Sequence, residues 1–147
     1  PQTIYDKPAN VFVASIIGSP QMNLIDARVS AEEGGVYLRF GTYKVKLSAA
    51  VSELLMKSGY KDKEVIMGIR PENIAIDKGS NSEALSLKLE LMENLGSENI
   101  FYFELMNGSL VVKAGSGYRA DIGSYMSLCF DMDKIHIFDK DTKERVA

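Results

Sequence analysis

The stretch LSLKLEL, Leu85 to Leu91, puts a leucine at every second position with Ser86, Lys88 and Glu90 between. A period of two sends successive side chains to opposite faces, so it predicts a β-strand with Leu85, Leu87, Leu89 and Leu91 on one buried face. The same period extends outward. Upstream, Val36, Leu38 and Phe40 alternate with Tyr37 and Arg39, then Tyr43, Val45 and Leu47 with Lys44 and Lys46, with turns at Gly34-Gly35 and Gly41-Thr42. EVIMGIRPENIAID (64–77) reads as two strand-like pieces bent at Arg70-Pro71. Downstream, IFYFELM (100–106) and SLVVKA (109–114) flank Asn107-Gly108, a favoured hairpin dipeptide. Met126, Leu128 and Phe130 alternate, and KIHIFD (134–139) supplies a last strand. One short helix interrupts the series, with Ser48 as cap, Val51, Leu54 and Leu55 on one face and Gly59 as terminator. Ser80 to Glu83 reads as a polar loop. Many short, evenly spaced strands predict a mainly all-β chain, a small barrel or sandwich.

Only YDKPANVFVASIIGSPQMN (5–23) breaks the pattern. Asp6 is placed to cap a helix, Pro8 fits its first turn and Gly18 its end, while Ala9, Phe12, Val13 and Ile16 recur at helical spacing. One amphipathic N-terminal helix is therefore expected in front of a β domain.

The 147 residues suffice for one domain with a real core. A net charge of −3 and a pI near 5.2 argue against a general polyanion binder. The single cysteine, Cys129, excludes an internal disulfide, and no apolar run is long enough to span a bilayer as a helix. The first residue is Pro1 rather than Met, from which a fragment or processed product is expected.

Motifs for chemistry are scarce. Gly115, Gly117 and Ala120 match a G-x-G-x-x-A fingerprint, but Gly123 and the next strand leave no room for the helix that would hold a pyrophosphate. His136 is the only histidine and lies in a strand, where a structural role is expected. Cys129 has no neighbour to lower its thiol pKa, and one His with one Cys makes no zinc site. In DKDTKE (139–144), Asp139 and Asp141 open like a calcium loop, but Lys143 stands where a third oxygen ligand belongs. Asp131 and Asp133 read as a solvated acidic turn. Tyr37, Arg39, Lys44 and Lys46 share a face that could hold single-stranded nucleic acid, or could be the solvated side of a hairpin.

Four stretches in order resemble the ATPase subunits of maltose-type ABC importers, the MalK-like family of carbohydrate uptake systems. PQTIYDKPANVFVASIIGSPQMN (1–23) resembles the junction after the nucleotide-binding domain, through Pro1, Ile4, Tyr5, Pro8, Ala9, Phe12, Val13, Ala14, Ile17, Gly18, Ser19, Pro20, Met22 and Asn23. MGIRPENI (67–74) is similar to the family's G-I-R-P-E signature, ENLGSENIFYFEL (93–105) to its E-x-L-G-x-E strand, and GSYMSLCFDMDKIHIFDKDT (123–142) to its closing segment. Two departures stand out: Lys143 where the family has glycine, and Lys113 where arginine is common.

The resemblance implies an OB-like, TOBE-type regulatory barrel over residues 21–147, preceded by the last nucleotide-binding-domain helix and linker over residues 1–20. It implies a non-catalytic regulatory and dimerisation role. No G-x-x-x-x-G-K-[ST] or L-S-G-G-Q motif occurs here, so ATP and magnesium are expected only in a full-length parent, and no cofactor or metal in this fragment. Implied partners are a second copy, the membrane subunits through the missing domain, and a regulatory protein, at the inner face of the cell membrane; nucleic acid is not expected. Arg70, Pro71, Glu72 and Glu98 are the regulatory or interface candidates, with a purely structural corner as the alternative for Arg70 and Glu72. Phe12, Val13 and Ile16 would dock on the nucleotide-binding domain; without it the helix could be mobile, repack on the barrel or pair with another copy. The other functions in view are an oxyanion-binding barrel of molybdate type and an OB-type single-strand binder.

Overall fold

The computed structural model describes residues 2–18, 20–77 and 83–147. Pro1 and Ser19 of the junction motif, and the predicted polar loop as far as Ser82, lie outside those residues. The chain is mostly β, in two antiparallel five-stranded sheets belonging to two compact units. The first unit runs to Ile69 and resumes at Met132; the second is Arg70–Asp131.

The first unit begins with two short helices, α1 (Gln2–Asp6) and α2 (Val11–Ile16), rather than the single one expected. Pro8 explains the break, because it disfavours helical geometry at Lys7 and lacks an N–H. Asn10, not Asp6, is the cap of α2: its backbone is extended and its Oδ1 accepts from Val13 N at 2.9 Å. Gly18, at φ 106°, follows the helix as expected. The sheet then comprises β1 (Asn23–Glu32), β2 (Gly35–Phe40), β3 (Tyr43–Lys46), β4 (Glu64–Ile69) and β10 (His136–Asp139), ordered β10-β4-β1-β2-β3. Between β3 and β4 lies α3 (Ala49–Lys57), capped by Ser48 Oγ accepting from Val51 N and burying Leu55.

Gly68 in β4 is required by close approach. A Cβ there would lie 2.6 Å from Met22 Sδ and 3.0 Å from the Phe138 ring. The glycine of the G-I-R-P-E motif thus lets β4 pack under a buried cluster of Ala14, Met22, Ile66 and Phe138.

In the second unit, β5 (Ile74–Asp77), β6 (Leu85–Asn94), β7 (Glu98–Leu105), β8 (Gly108–Gly115) and β9 (Tyr125–Phe130) are ordered β5-β9-β6-β7-β8. Leu85, Leu87 and Leu89 are buried as the alternation predicts, but Leu91 is 52% exposed. The cause is a bulge: Leu89 pairs with Phe103 and Leu91 with Tyr102, so Glu90 is the extra residue and the phase inverts beyond it. The β7–β8 turn also differs from its dipeptide reading. Leu105 pairs with Gly108, so the two loop residues are Met106 and Asn107, and Met106 carries a left-handed φ of 52°.

Candidate functional site

The G-I-R-P-E segment is where the chain crosses from the first unit to the second. Arg70 is extended, at φ −76° and ψ 147°, as its position before proline dictates. Pro71 then opens a single 3-10 turn, Pro71–Asn73, closed by Asn73 N donating to Arg70 O at 2.9 Å. Asp131 N, at the return crossing, donates to Asn73 O at 2.9 Å, and Ile74 pairs with Phe130, so both crossing strands are tied together within the second unit.

This corner presents only part of what the sequence suggested. Pro71 is buried and Glu72 exposed, but Arg70 is only 2% exposed and already engaged in interactions of its own. A buried guanidinium needs such partners, so Arg70 belongs to the interior of the corner rather than to a surface it would offer. Glu72 borders an open depression of about 230 Å³ shared with Asn73, Ala75, Cys129, Phe130 and Asp131. Its two carboxylates, Glu72 and Asp131, oppose an oxyanion in that depression.

Glu98 lies elsewhere, at the start of β7, 3.4 Å from Lys113 on β8. Lysine thus keeps an ion pair where the resemblance put arginine. Beside it, Asn99 is buried with no hydrogen-bond partner for its Oδ1; nothing in the sequence pattern singled it out.

Phe12 and Ile16 are 61% and 56% exposed, and Val13 is half-buried. It is Ala14, not these three, that enters the core of the first unit, with Val11 against it. The leading segment therefore packs on its own unit through Ala14 and Val11, with Phe12 and Ile16 outward.

Two cations of the basic face of β2 and β3 share one carboxylate. Glu32 accepts from Arg39 Nε at 2.6 Å and Lys44 Nζ at 3.0 Å, and Lys44 lies over the Tyr37 ring. Arg39 foremost, then Lys44, holds the Glu32 carboxyl down at about 2. Asp139 is similarly occupied: it accepts from Tyr60 Oη at 2.6 Å and from the amides of Asp141 and Thr142, each at 2.8 Å. These bonds, Tyr60's foremost, bring its pKa to about 2 and make this run a self-satisfied turn. Among the described residues no group of three His, Cys, Asp or Glu could hold a metal. The glycine-spaced segment between β8 and β9 contains no helix.

A surface of different character lies in the second unit. Ser124 O accepts from Leu89 N at 2.9 Å and Leu89 O from Gly123 N at 2.8 Å, which ties Ile122 and Tyr125 to the bulged part of β6. Leu91, Ile122 and Tyr125 are all exposed there, Tyr125 at 69%. No helix among the described residues is long and apolar enough to cross a membrane.

Comparison with known proteins bears on these features together. The MalK OB fold domain matches residues 18–74 and the TOBE domain residues 67–138, the two overlapping on the crossing segment. The chain is 40% identical to the trehalose/maltose import ATP-binding protein MalK of Thermococcus litoralis, across 99% of this chain and 40% of that protein. It is 35% identical to the sn-glycerol-3-phosphate import ATP-binding protein UgpC of Chromobacterium violaceum, across 99% of this chain and 37% of that one. With the oligosaccharides import ATP-binding protein MsmX of Bacillus subtilis the identity is 32%, across 99% of this chain and 40% of that protein. The chain thus spans about two fifths of the length of these relatives. The molybdate-bound cytoplasmic molybdate-binding protein ModG shares the fold, with a TM-score of 0.62 at 15% identity over 78% of this chain and 94% of that one. The strand architecture, the crossing at G-I-R-P-E and the two matched domains agree: the chain belongs to the MalK-like family of OB-fold and TOBE domains.

Proposed function

We propose that this chain is the non-catalytic regulatory and dimerisation domain of the ATP-binding subunit of an ABC importer for carbohydrate. The observation that carries the proposal is similarity along 99% of the chain to import ATP-binding proteins, two of them named for sugars. In this scheme residues 1–20 are the last helix and linker of a nucleotide-binding domain, and residues 21–147 the regulatory domain. ATP and magnesium act in the upstream domain, against which Phe12, Val13 and Ile16 pack. A second copy is the partner, and the exposed Leu91, Ile122 and Tyr125 of the second unit suit such a contact. Membrane subunits engage through the upstream domain, placing the complex at the inner face of the membrane. A regulator acts by binding the open and closed states of the ATPase pair with different affinities, and Glu72 is the exposed candidate at the crossing.

An antibody raised against this chain, used to blot fractions of the source cells, tests the scheme. A single band well above 16.2 kDa in the membrane-associated fraction is the expected result. A soluble band near 16.2 kDa alone overturns it and favours a free-standing ligand barrel. The fold shared with a molybdate-binding protein motivates that second reading; saturable heat on titration with molybdate would favour it.

A further inference from the structure

Residues 143–147 lie between the edge of the first sheet and the leading segment, and are bonded to both. On the sheet side, Asp139 N donates to Glu144 O at 2.8 Å, Val146 N to Ile137 O at 2.7 Å and Ile137 N to Ala147 O at 2.9 Å. On the other side, Val11 N donates to Lys143 O at 2.9 Å and Arg145 N to Ala9 O at 2.8 Å, with Asn10 bridged to Glu144. An extended backbone points its polar groups alternately to either side, which is how one segment serves both neighbours. The sheet edge at β10 is thereby covered.

The leading segment depends heavily on this arrangement. Helix α2 has six residues, too few to persist by itself, and its buried side chain is only the methyl of Ala14. The turn that starts the strap is strained. Lys143 sits at φ 66°, a left-handed conformation, while its N donates to Asp139 O at 2.9 Å and its Nζ to Lys140 O at 2.6 Å. Those two bonds hold open a geometry that glycine would adopt freely.

We propose that residues 143–147 are a releasable strap that sets whether residues 9–17 are docked on the first unit, with Phe12 and Ile16 outward, or detached from it. The strain at Lys143 keeps the strap closer to release than a glycine would. Its consequence for an upstream ATPase domain rests on the function proposed above: the strap would fix the orientation of the joint between the two domains. The strap itself does not rest on that function.

Val11→Pro isolates the effect. Val11 is the first residue of α2, where proline is tolerated, and Asn10 before it is already extended at φ −154° and ψ 172°. The substitution removes the N–H that bonds to Lys143 O and keeps an apolar side chain. Hydrogen exchange followed by mass spectrometry on the 147-residue chain reads the result. For Val11→Pro, exchange across residues 12–17 should quicken about fivefold, as expected for one lost backbone bond. For Lys143→Gly it should slow by a similar factor. In both, β4 and residues 70–131 should keep their rates. Unchanged exchange over 12–17 in Val11→Pro, or equal quickening in β4, overturns the strap. No slowing in Lys143→Gly overturns the role given to strain. Either result is read on this chain alone and leaves the transporter assignment to the blot.

Discussion

The two units treat their surfaces differently. The first is laced with charge pairs: Glu32 with Arg39 and Lys44, Asp26 with Lys140, Arg28 with Glu64, and Tyr60 bonded to Asp139. Its exposed large apolar side chains are confined to the leading segment, at Ile4, Phe12 and Ile16, and to Leu54 on α3. The second unit pairs Glu98 with Lys113, bonds Tyr102 to Glu93, and exposes Leu91, Leu95, Met106, Tyr118, Ile122 and Tyr125. A face of paired charges is at ease in water, whereas several exposed apolar side chains on one small unit suit a surface that meets protein. Under the function proposed above, contact with a second copy would fall to the second unit, and contact with an upstream domain to the leading segment of the first.

Core truncation would break the comparison most directly. Phe138 in the first unit and Phe103 in the second are both fully buried, and alanine at either should cost about 3–5 kcal/mol. If the units are separate cooperative blocks, Phe138→Ala should strip amide protection from β4 and leave β7 protected, with Phe103→Ala doing the reverse. Equal loss in both strands for either variant would show one cooperative block.

Gly68→Ala is expected to cost about 1–3 kcal/mol, confined to the first unit. Met22 can swing aside, but the Phe138 ring, 3.0 Å from the added carbon, has less freedom. A denaturant midpoint equal to that of the parent would show that the cluster yields after all.

Met106→Gly should stabilise the second unit by about 1 kcal/mol, since φ of 52° at the first loop position is strained for methionine and open to glycine. A lower melting temperature would show instead that the methionine side chain matters to the hairpin.

The smallest effect expected is with acid, and it should fall on the first unit. Glu32 and Asp139 both have their pKa values lowered to about 2. A lowered carboxylate pKa adds stability that is full above the ordinary carboxylate range, near pH 4, and is lost as pH falls toward about 2. Melting of β4 should therefore decline across that window, and the decline should flatten in a Glu32→Gln, Asp139→Asn double variant. An unchanged slope in the double variant would remove these two groups as its source.

Much of the architecture was legible because period-two burial is a local signal. The strands around Leu38, Val45, Leu87 and Leu128 and the Ser48-capped helix stand where alternation and capping put them. The misreadings have separate causes. Pro8 breaks the leading helix locally, whereas Leu91 and the Asn107-Gly108 turn depended on the register in which β7 finally pairs with β6 and β8. For the candidate site, Pro71 imposed the extended Arg70 and the corner itself, but not that Arg70 would be buried while Glu72 faced outward.

By itself, then, the sequence determined the strand series, the bend at Arg70-Pro71 and, by its motifs, the family, because these reside in backbone preference and in runs of neighbouring residues. Only the tertiary structure decided the division into two units, the bulge that turns Leu91 outward, the pairing of Arg39 and Lys44 with Glu32, and the clasp of residues 9–11 by residues 143–145. Each of these joins groups on different strands or segments. Their free energy comes from pairings that exist only once the sheets have formed.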